Sequence, residues 1–410
     1  MSPRGPLADL LVLDVTRVLA GPFAAMVLAD LGAEVIKVER PQGGDDARGF
    51  GPFVEGRSAY FASVNRGKKS LGLDLKAPAG RELFLRLAQK ADVVVENFRP
   101  GVMDRLGIGY GELRRRNPRI VYAACSGFGH TGPYAHRPAY DAVVQAMGGI
   151  MSLTGEEGGP PVRVGASIAD ITAALYTVAG VLAALHRRHA SGEGQMVDVA
   201  MLDGQVAILE NAIARYFAGG ELPGRLGTRH PSITPFQAFD TADGTVVLAI
   251  GNDRLWQTFC RTVGREELAR DPRFATNDLR TRNIAQLLGL LEDILRRRPT
   301  AWWLEAMERA GIPCGPIHTV ADLARDPQVA ARGMIQEVGH PPAGPMKMAG
   351  VPIKLSATPG AIGGPAPALG EHTDEVLSRH LGLDPQALAR LRDEGVVSEA
   401  PRPTGDDRDT

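Results

Sequence analysis

One carboxylate, Asp170, stands at the mouth of a long apolar stretch, in the run Val164-Gly-Ala-Ser-Ile-Ala-Asp170-Ile-Thr-Ala-Ala-Leu-Tyr176, and no charged residue follows it from Ile171 to Leu185. A charge-free run of that length reads as a helix buried on most of its surface rather than along one stripe. Its only acid therefore lies where a packed interior meets a surface or a cleft. Two roles fit such a group. An acid in the first turn of a helix accepts hydrogen bonds from free backbone N–H groups and is favoured by the helix dipole. The same acid, fixed and sheltered from water, can serve as a nucleophile. Position alone favours the cap.

Basic residues recur just past several predicted strands: Lys37 and Arg40, then Lys68, Lys69 and Lys76, then Arg99 and Arg105. Any one of them reads as an ordinary solvated charge. Together they would ring the strand ends, as a polyphosphate-bearing ligand requires in a chain whose formal net charge is only −1. That near-neutral balance speaks against a nucleic-acid protein. The segment after the first strand, Ala20-Gly-Pro-Phe-Ala24, lacks the G-x-G-x-x-G of a dinucleotide fold. No P-loop run occurs, and the nine histidines show no metal-ligand spacing. His130 and His136, six apart in a Gly/Pro loop, read as surface or capping residues. Cys125, Cys260 and Cys314 form no close pair and suit a reducing compartment. The N-terminus shows no signal-peptide grammar, so a cytoplasmic location is expected. The Ile171–Leu185 run falls short of the ~20 apolar residues of a membrane span.

The elements that must position these residues alternate. Leu11–Val15, Glu34–Val38, Ser70–Leu75, Asp92–Glu96, Arg119–Cys125 and Gln195–Ala200 are strand-like, and helical patterns fall between them. This predicts an α/β fold with a parallel sheet whose ligands sit at the carboxyl ends of the strands. A helix over 201–218 is expected next, then a turn-rich linker at 219–227. A hairpin through Asp243-Gly244 and three helices then suggest a smaller α+β domain. The expected division is 1–218 for the large domain, 219–325 for the small one and 326–400 for a return segment completing the first. A Pro/Gly-rich stretch at 311–365 precedes a last helix from about Thr373, and 401–410 reads as a disordered tail.

Several segments in order resemble the family III CoA-transferases: Val12-Leu-Asp-x-Thr with Ala20-Gly-Pro22, Leu31-Gly-Ala-Glu-Val-Ile-Lys-Val-Glu-Arg40, Asn65-Arg-Gly-Lys-Lys-Ser-Leu71, and Ala91-Asp-Val-Val-Val-Glu-Asn-Phe-Arg-Pro-Gly101. Asn117-Pro-Arg119, Gly194-Gln-Met-Val-Asp-Val-Ala-Met-Leu-Asp203, Gly311-Ile-Pro-Cys-Gly-Pro316 and Leu369-Gly-Glu-His-Thr-Asp374 extend the resemblance to about residue 397. It implies a Rossmann-like large domain built from both chain ends, an inserted small domain, and a homodimer of interlocked rings. It also implies that Asp170 is the nucleophile, forming a mixed anhydride with an acyl-CoA and then an aspartyl-CoA thioester. No metal and no permanently bound cofactor are expected; coenzyme A and acyl-CoA are substrates, with a small carboxylic acid as the second partner and neither nucleic acid nor membrane involved.

At matching positions the resemblance implies that Leu19 and Ala20 line the pantetheine or adenine side, Arg40 and Lys76 pair with phosphates and Leu73 packs near the adenine. Asn97, Phe98, Arg99 and Arg105 would continue the groove, and the stretch from Arg137 through Tyr140 to Asp141 would form a further wall. Asp141 stands where the formyl-CoA branch has a glutamate, and Leu19 replaces a polar residue of some relatives. The related α-methylacyl-CoA racemases pair their aspartate with a histidine; Tyr140 stands there in this chain, and a phenol of reference pKa near ~10 is a poor base. Racemisation is therefore the runner-up, with a non-catalytic CoA-binding protein behind it. The segment Gly227-Thr-Arg-His-Pro-Ser-Ile-Thr-Pro235 looks like relatives that use succinyl-CoA and dicarboxylates, with Arg229 or His230 offered to a distal carboxylate.

Overall fold

The computed structural model describes residues 5–398 apart from Pro342, so the tail expected to be disordered lies outside the described residues. The chain divides into two compact units. The larger comprises the chain up to Ile150, Arg163–Ala214 and the chain from Pro327; the smaller comprises Met151–Val162 and Arg215–Asp326. Residues 151–162, placed in the large domain by sequence periodicity, thus group with the small unit.

Six strands make the sheet of the larger unit: β1 (Leu11–Asp14), β2 (Glu34–Glu39), β3 (Lys69–Gly72), β4 (Val93–Glu96), β5 (Val121–Ser126) and β6 (Met196–Ala200). All are parallel, in the order β3-β2-β1-β4-β5-β6. The order reverses between β1 and β4, and a crevice opens at such a switch point beyond the strands' carboxyl ends. Their apolar residues alternate between two cores, because successive side chains point to opposite faces. Val12, Val35, Val93, Val95 and Val121 face the helices α1 (Ala20–Asp30) and, later in the chain, Ile168–Ser191. Leu13, Ile36, Leu71 and Val94 face the other side, with Leu83 and Phe84.

In chain order the further helices that matter are α2 (Ala59–Asn65), α3 (Pro78–Ala88), α4 (Asp141–Met147), α5 (Ile168–Ser191), α6 (Met201–Ala207) and α7 (Glu210–Gly219). The single helix expected over 201–218 is broken at Ile208–Leu209 without a Gly or Pro to mark the break. Helix α5 is longer than its charge-free run and, by length and composition, could cross a membrane. One side of it, Ala173, Ala174, Val178, Val181 and Ala184, is packed in the unit. The opposite side is not: Leu175 is 52% and Tyr176 45% exposed, and Ala179 and Ala183 continue that stripe. The expectation of burial on most of its surface is therefore corrected to one buried face, since small residues let this helix press closely on the sheet with one side only.

The smaller unit has an antiparallel sheet in which β8 (Thr245–Ala249) lies between β7 (Phe236–Asp240) and β9 (Cys314–Pro316). Helices α8 (Asp253–Thr262), α9 (Ile284–Leu295) and α10 (Thr300–Arg309) close its core around Trp256, Phe259, Leu291 and Trp303. Back in the larger unit, β10 (Ile335–His340) and β11 (Gly344–Ala349) form a hairpin within the stretch read as Pro/Gly-rich. The chain then returns to the first sheet. Helix α11 (Thr373–Leu381) puts Val376 and Leu377 into the core beside Leu71 and Leu83, and α12 (Pro385–Asp393) adds Leu388. The free edge of β3 is sealed by this segment: Gly370 N–H donates to Ser70 Oγ (2.9 Å), His372 N–H to Ser70 O (3.0 Å) and Ser398 N–H to Gly72 O (3.1 Å). Covering an edge in this way removes a template for unwanted strand pairing.

Candidate active site

A cavity of about 880 Å³, counted to its open mouth, sits at the carboxyl ends of the strands of the larger unit. Its walls come from the segments after β1 (Arg17, Val18, Leu19, Ala20), after β4 (Asn97, Phe98, Arg99, Pro100), at the end of β5 (Cys125, Ser126, Gly127), and from Arg137, Pro138, Ala139 and Tyr140. Asp46 and Met201 complete it, and Asp170 projects into it. The switch between β1 and β4 is thus where the cavity lies.

Asp170 is the third residue of α5, but it is not the cap. Asp141, the first residue of α4, accepts the Ala169 N–H on Oδ1 (3.0 Å), while its Oδ2 accepts from the buried Gln145 amide (2.7 Å) and lies 3.7 Å from Arg163. Gln145 in turn accepts the Val164 N–H (2.8 Å). Asp141 is thereby withdrawn from the groove wall where the resemblance puts it: it braces the start of α5 instead. Among the described residues no donor bonds to the Asp170 carboxylate, and its N–H finds no acceptor. Burial, and then the charge of Asp141, push the Asp170 carboxyl up to about 7. A buried acid without hydrogen-bond donors favours its neutral form. The thiol of Cys125 is pushed up to about 12, chiefly by burial and to a smaller degree by Asp170, which makes it an inert wall residue.

The other residues expected at the site separate into groups. Leu19, Ala20, Asn97, Phe98, Arg99, Arg137 and Tyr140 all line the cavity. Arg99 and Arg137 are exposed there with no carboxylate partner among the described residues, Arg137 lying over the Tyr134 ring at 4.5 Å. Tyr140 is 73% exposed. Asn97 also holds the chain, accepting the Arg17 N–H (2.9 Å) and donating to Arg17 O (2.7 Å). Arg40 does not line the cavity; it pairs with Asp46 (2.9 Å), which also binds Arg17 (3.1 Å). Lys76 and Arg105 are exposed away from the lining. Leu73 is a correction: its side chain is in the core and its backbone bridges Val397 of the return segment. Arg229 and His230 belong to the smaller unit, where Arg229 pairs with Glu157 (3.0 Å) and His230 stacks on Phe236.

Two of the lysines read as a ring of ligand-facing charge are instead internal. Lys68 pairs with Asp14 (2.8 Å) with both side chains fully buried, and also donates to Pro22 O and Asn65. Lys37 pairs with Asp45 (2.9 Å) and donates to Thr16 O (2.9 Å). Burial would raise the Asp14 carboxyl, but Lys68 and Lys37 outweigh it and hold it low. Burial, with Lys37 nearby, pushes Lys68 down to about 8 against the pull of Asp14. Such ions remain buried only because each is paired and hydrogen-bonded.

Arg17, Asp45, Asp46 and Tyr60 escaped the sequence reading. Burial first, then Asp170 and other acids, raise the phenol of Tyr60 on α2. The pair in Gly43-Gly-Asp-Asp46 has the composition of a turn, and an arginine just after a strand that of a solvated charge. At Gly21 the close packing does carry a signal, since a Cβ there would sit 2.4 Å from Thr16 Cγ2.

The sequence matches the CoA-transferase family III over residues 7–373, and the chain belongs to that family. It is an acyl-CoA:carboxylate CoA-transferase of that class. It is 48% identical over 355 residues to the acetyl-CoA:oxalate CoA-transferase of Acetobacter aceti, which covers 86% of this chain and 90% of the relative. It is 40% identical over 395 residues to the human succinyl-CoA:glutarate CoA-transferase, covering 96% and 90%. Among solved structures, a CaiB/BaiF family protein from Brucella suis matches with a TM-score of 0.81 at 41% identity, over 92% of this chain and 100% of that one.

Proposed function

We propose that this enzyme moves CoA from an acyl-CoA donor, succinyl-CoA being the first choice, to a dicarboxylic acid, through covalent intermediates on Asp170. The observation that carries the reading is the Asp170 carboxylate: fixed in the first turn of α5, free of hydrogen-bond donors among the described residues, and aimed into the cavity at the sheet's switch point. Its oxygen attacks the thioester carbonyl, the C–S bond breaks, and CoA leaves as thiolate while an acyl-aspartyl anhydride remains. The thiolate then attacks the aspartyl carbonyl and releases the donor acid as carboxylate. The acceptor carboxylate attacks the aspartyl-CoA thioester and expels the CoA thiolate, leaving a second anhydride; the thiolate then attacks the acceptor carbonyl of that anhydride and releases Asp170 as carboxylate.

Nothing in this cycle consumes water, and water would hydrolyse the anhydride; a partly buried nucleophile suits that demand. Leu19, Ala20 and Phe98 offer apolar wall to the pantetheine arm, and Arg99 and Arg137 offer unpaired positive charge to phosphate or carboxylate. Arg40, Lys76 and Arg105 remain candidates for the outer phosphates. The activities of the relatives, on oxalate in one and glutarate in the other, support a dicarboxylate as acceptor. The bare apolar stripe of α5, Leu175 and Tyr176 with Val206 of α6, supports a second copy of the chain as its cover, hence a homodimer.

Incubation with succinyl-CoA and a panel of labelled dicarboxylates tests the reading, followed by borohydride reduction to capture the aspartyl thioester. Wild type is expected to exchange CoA and to carry the reduced mark at Asp170. Exchange that survives Asp170→Ala sinks the mechanism.

A further inference from the structure

We propose that Asp45 is a positioning residue for the CoA site: anchored by Lys37, it holds the Val18 N–H and so imposes the left-handed turn that sets Val18, Leu19 and Ala20 in the cavity wall. The inference rests on reading that cavity as the place where CoA binds.

Val18 has φ +69°, and only one other non-glycine residue among those described, Glu55, has a positive φ. For a β-branched side chain this is an outlier that persists only where the surroundings over-determine it. Here they do. From Thr16 to Val18 the chain is held by the nearby Asp14 and by side chains from distant parts of the sequence. The Thr16 N–H donates to Asp14 (2.9 Å), and Thr16 O accepts from Lys37 Nζ (2.9 Å). Both backbone polar groups of Arg17 are taken by Asn97. The Val18 N–H donates to Asp45 Oδ1 (3.0 Å).

Asp45 has no freedom of its own. Its Oδ1 also accepts the Ala47 N–H (2.9 Å), its Oδ2 lies 2.9 Å from the fully buried Lys37 ammonium, and its N–H donates to Glu39 (3.0 Å). A glycine at position 18 would take the same backbone shape without any clamp. What glycine cannot supply is the side chain, and Val18 lines the cavity. The clamp therefore allows a valine wall in a glycine conformation. It also leaves the N–H groups of Leu19, Ala20 and Gly21 without acceptors among the described residues, at the start of α1 and beside the cavity. Such groups are available to an electron-rich ligand atom.

The test measures coenzyme A affinity by calorimetry, kcat and KM for acyl-CoA, and the thermal midpoint, in Asp45→Ala, Val18→Gly and the double variant. Asp45→Ala removes the acceptor for the Val18 N–H and is expected to weaken coenzyme A binding about tenfold and to raise KM in step, with a smaller change in kcat. Adding Val18→Gly is expected to recover most of that affinity but not the thermal midpoint, because the strain is gone while the Lys37 charge stays unpaired. A purely structural Asp45 would show no such rescue. If Asp45→Ala does not fold, Asp45→Glu keeps a charge for Lys37 and displaces only the acceptor; the same loss of affinity and the same recovery with Val18→Gly are expected, with a smaller loss of thermal midpoint. Affinity within twofold of wild type in the foldable Asp45 variant, or no recovery in its Val18→Gly double, overturns the proposal. Arg99→Ala and Arg137→Ala test the site itself. If neither weakens coenzyme A binding, the cavity is not the CoA site and the inference falls with it; if they do and the Asp45 variants do not, the inference alone falls.

Discussion

Replacing Asp141 by asparagine separates the two causes that keep the Asp170 carboxyl neutral. Burial and the Asp141 charge together push it from 3.8 up to about 7, a preference for the neutral acid on the order of 4 kcal/mol. Burial is the larger cause and survives the substitution. The neutral amide oxygen can still accept the Ala169 N–H, so the start of α5 keeps its brace while the negative charge is removed. At pH 6 an acid that titrates near 7 is only about one-tenth ionised, and the carboxylate is the attacking form. Wild type is therefore expected to show kcat/KM for acyl-CoA rising with pH through half its maximum near neutrality towards a plateau above about pH 8. In Asp141→Asn that acid limb is expected to move to lower pH without reaching the ordinary carboxylate range, with a gain of roughly two- to tenfold at pH 6. Initial rates of CoA transfer across about pH 5 to 8 supply the profile, since kcat/KM reports the free enzyme. A thermal midpoint for each variant accounts for the altered Gln145 contact, which changes stability but not where the limb lies. An acid limb that stays in place, or moves to higher pH, refutes the assignment of Asp141 as a source of the raised Asp170 carboxyl.

The same raised carboxyl has a stability consequence of definite sign. Because the folded value lies above the unfolded one, ionising Asp170 destabilises the fold as pH rises from about 4 through about 7, so Asp170→Asn is expected to raise the thermal midpoint more at pH 8 than at pH 5; an equal change at both would contradict it. Arg99→Ala and Arg137→Ala are each expected to raise KM for acyl-CoA about tenfold while kcat falls less, measured by initial rates in low salt. Lys68→Met leaves Asp14 buried without its partner and is expected to cost about 3–5 kcal/mol, seen as a lower denaturation midpoint or loss of soluble protein; wild-type stability in that variant would show that the pair is dispensable.

The parallel strands were legible because buried strands carry unbroken apolar runs, and β1, β2, β4 and β5 fall within a residue or two of the runs that announced them. The site was legible in part because loops after strands in such a sheet converge, which pointed to Arg99, and in part because the family resemblance pointed to Phe98, Arg137 and Tyr140; all four meet Asp170 at one cavity. Charges were harder. Nothing in sequence distinguishes Arg99, open to the cavity, from Lys37, whose ammonium is sealed against Asp45, because a buried ion pair has no periodicity. Asp141 illustrates a second limit. Its spacing from Asp170 conveys nothing about which of the two acids takes the Ala169 N–H, a matter decided by how α4 docks against α5. The β10–β11 hairpin was hidden by its prolines and glycines, although Val338, Met346 and Met348 mark its inward face.

The return of the chain to β3 bears on how the protein is made. Leu71, Leu83 and Phe84 wait for Val376 and Leu377, and the hydrogen bonds that seal β3 come from residues 370, 372 and 398. During synthesis the sheet therefore emerges with one apolar face and one open edge, and the smaller unit is translated before either is covered. Completion of the first-made sheet thus waits for residues 370–398 to be translated. Nascent chains stalled short of Thr373 should bind chaperones that recognise apolar surface, and removing the chain from Gly370 onward should harm the β1–β6 sheet more than any local effect at that end.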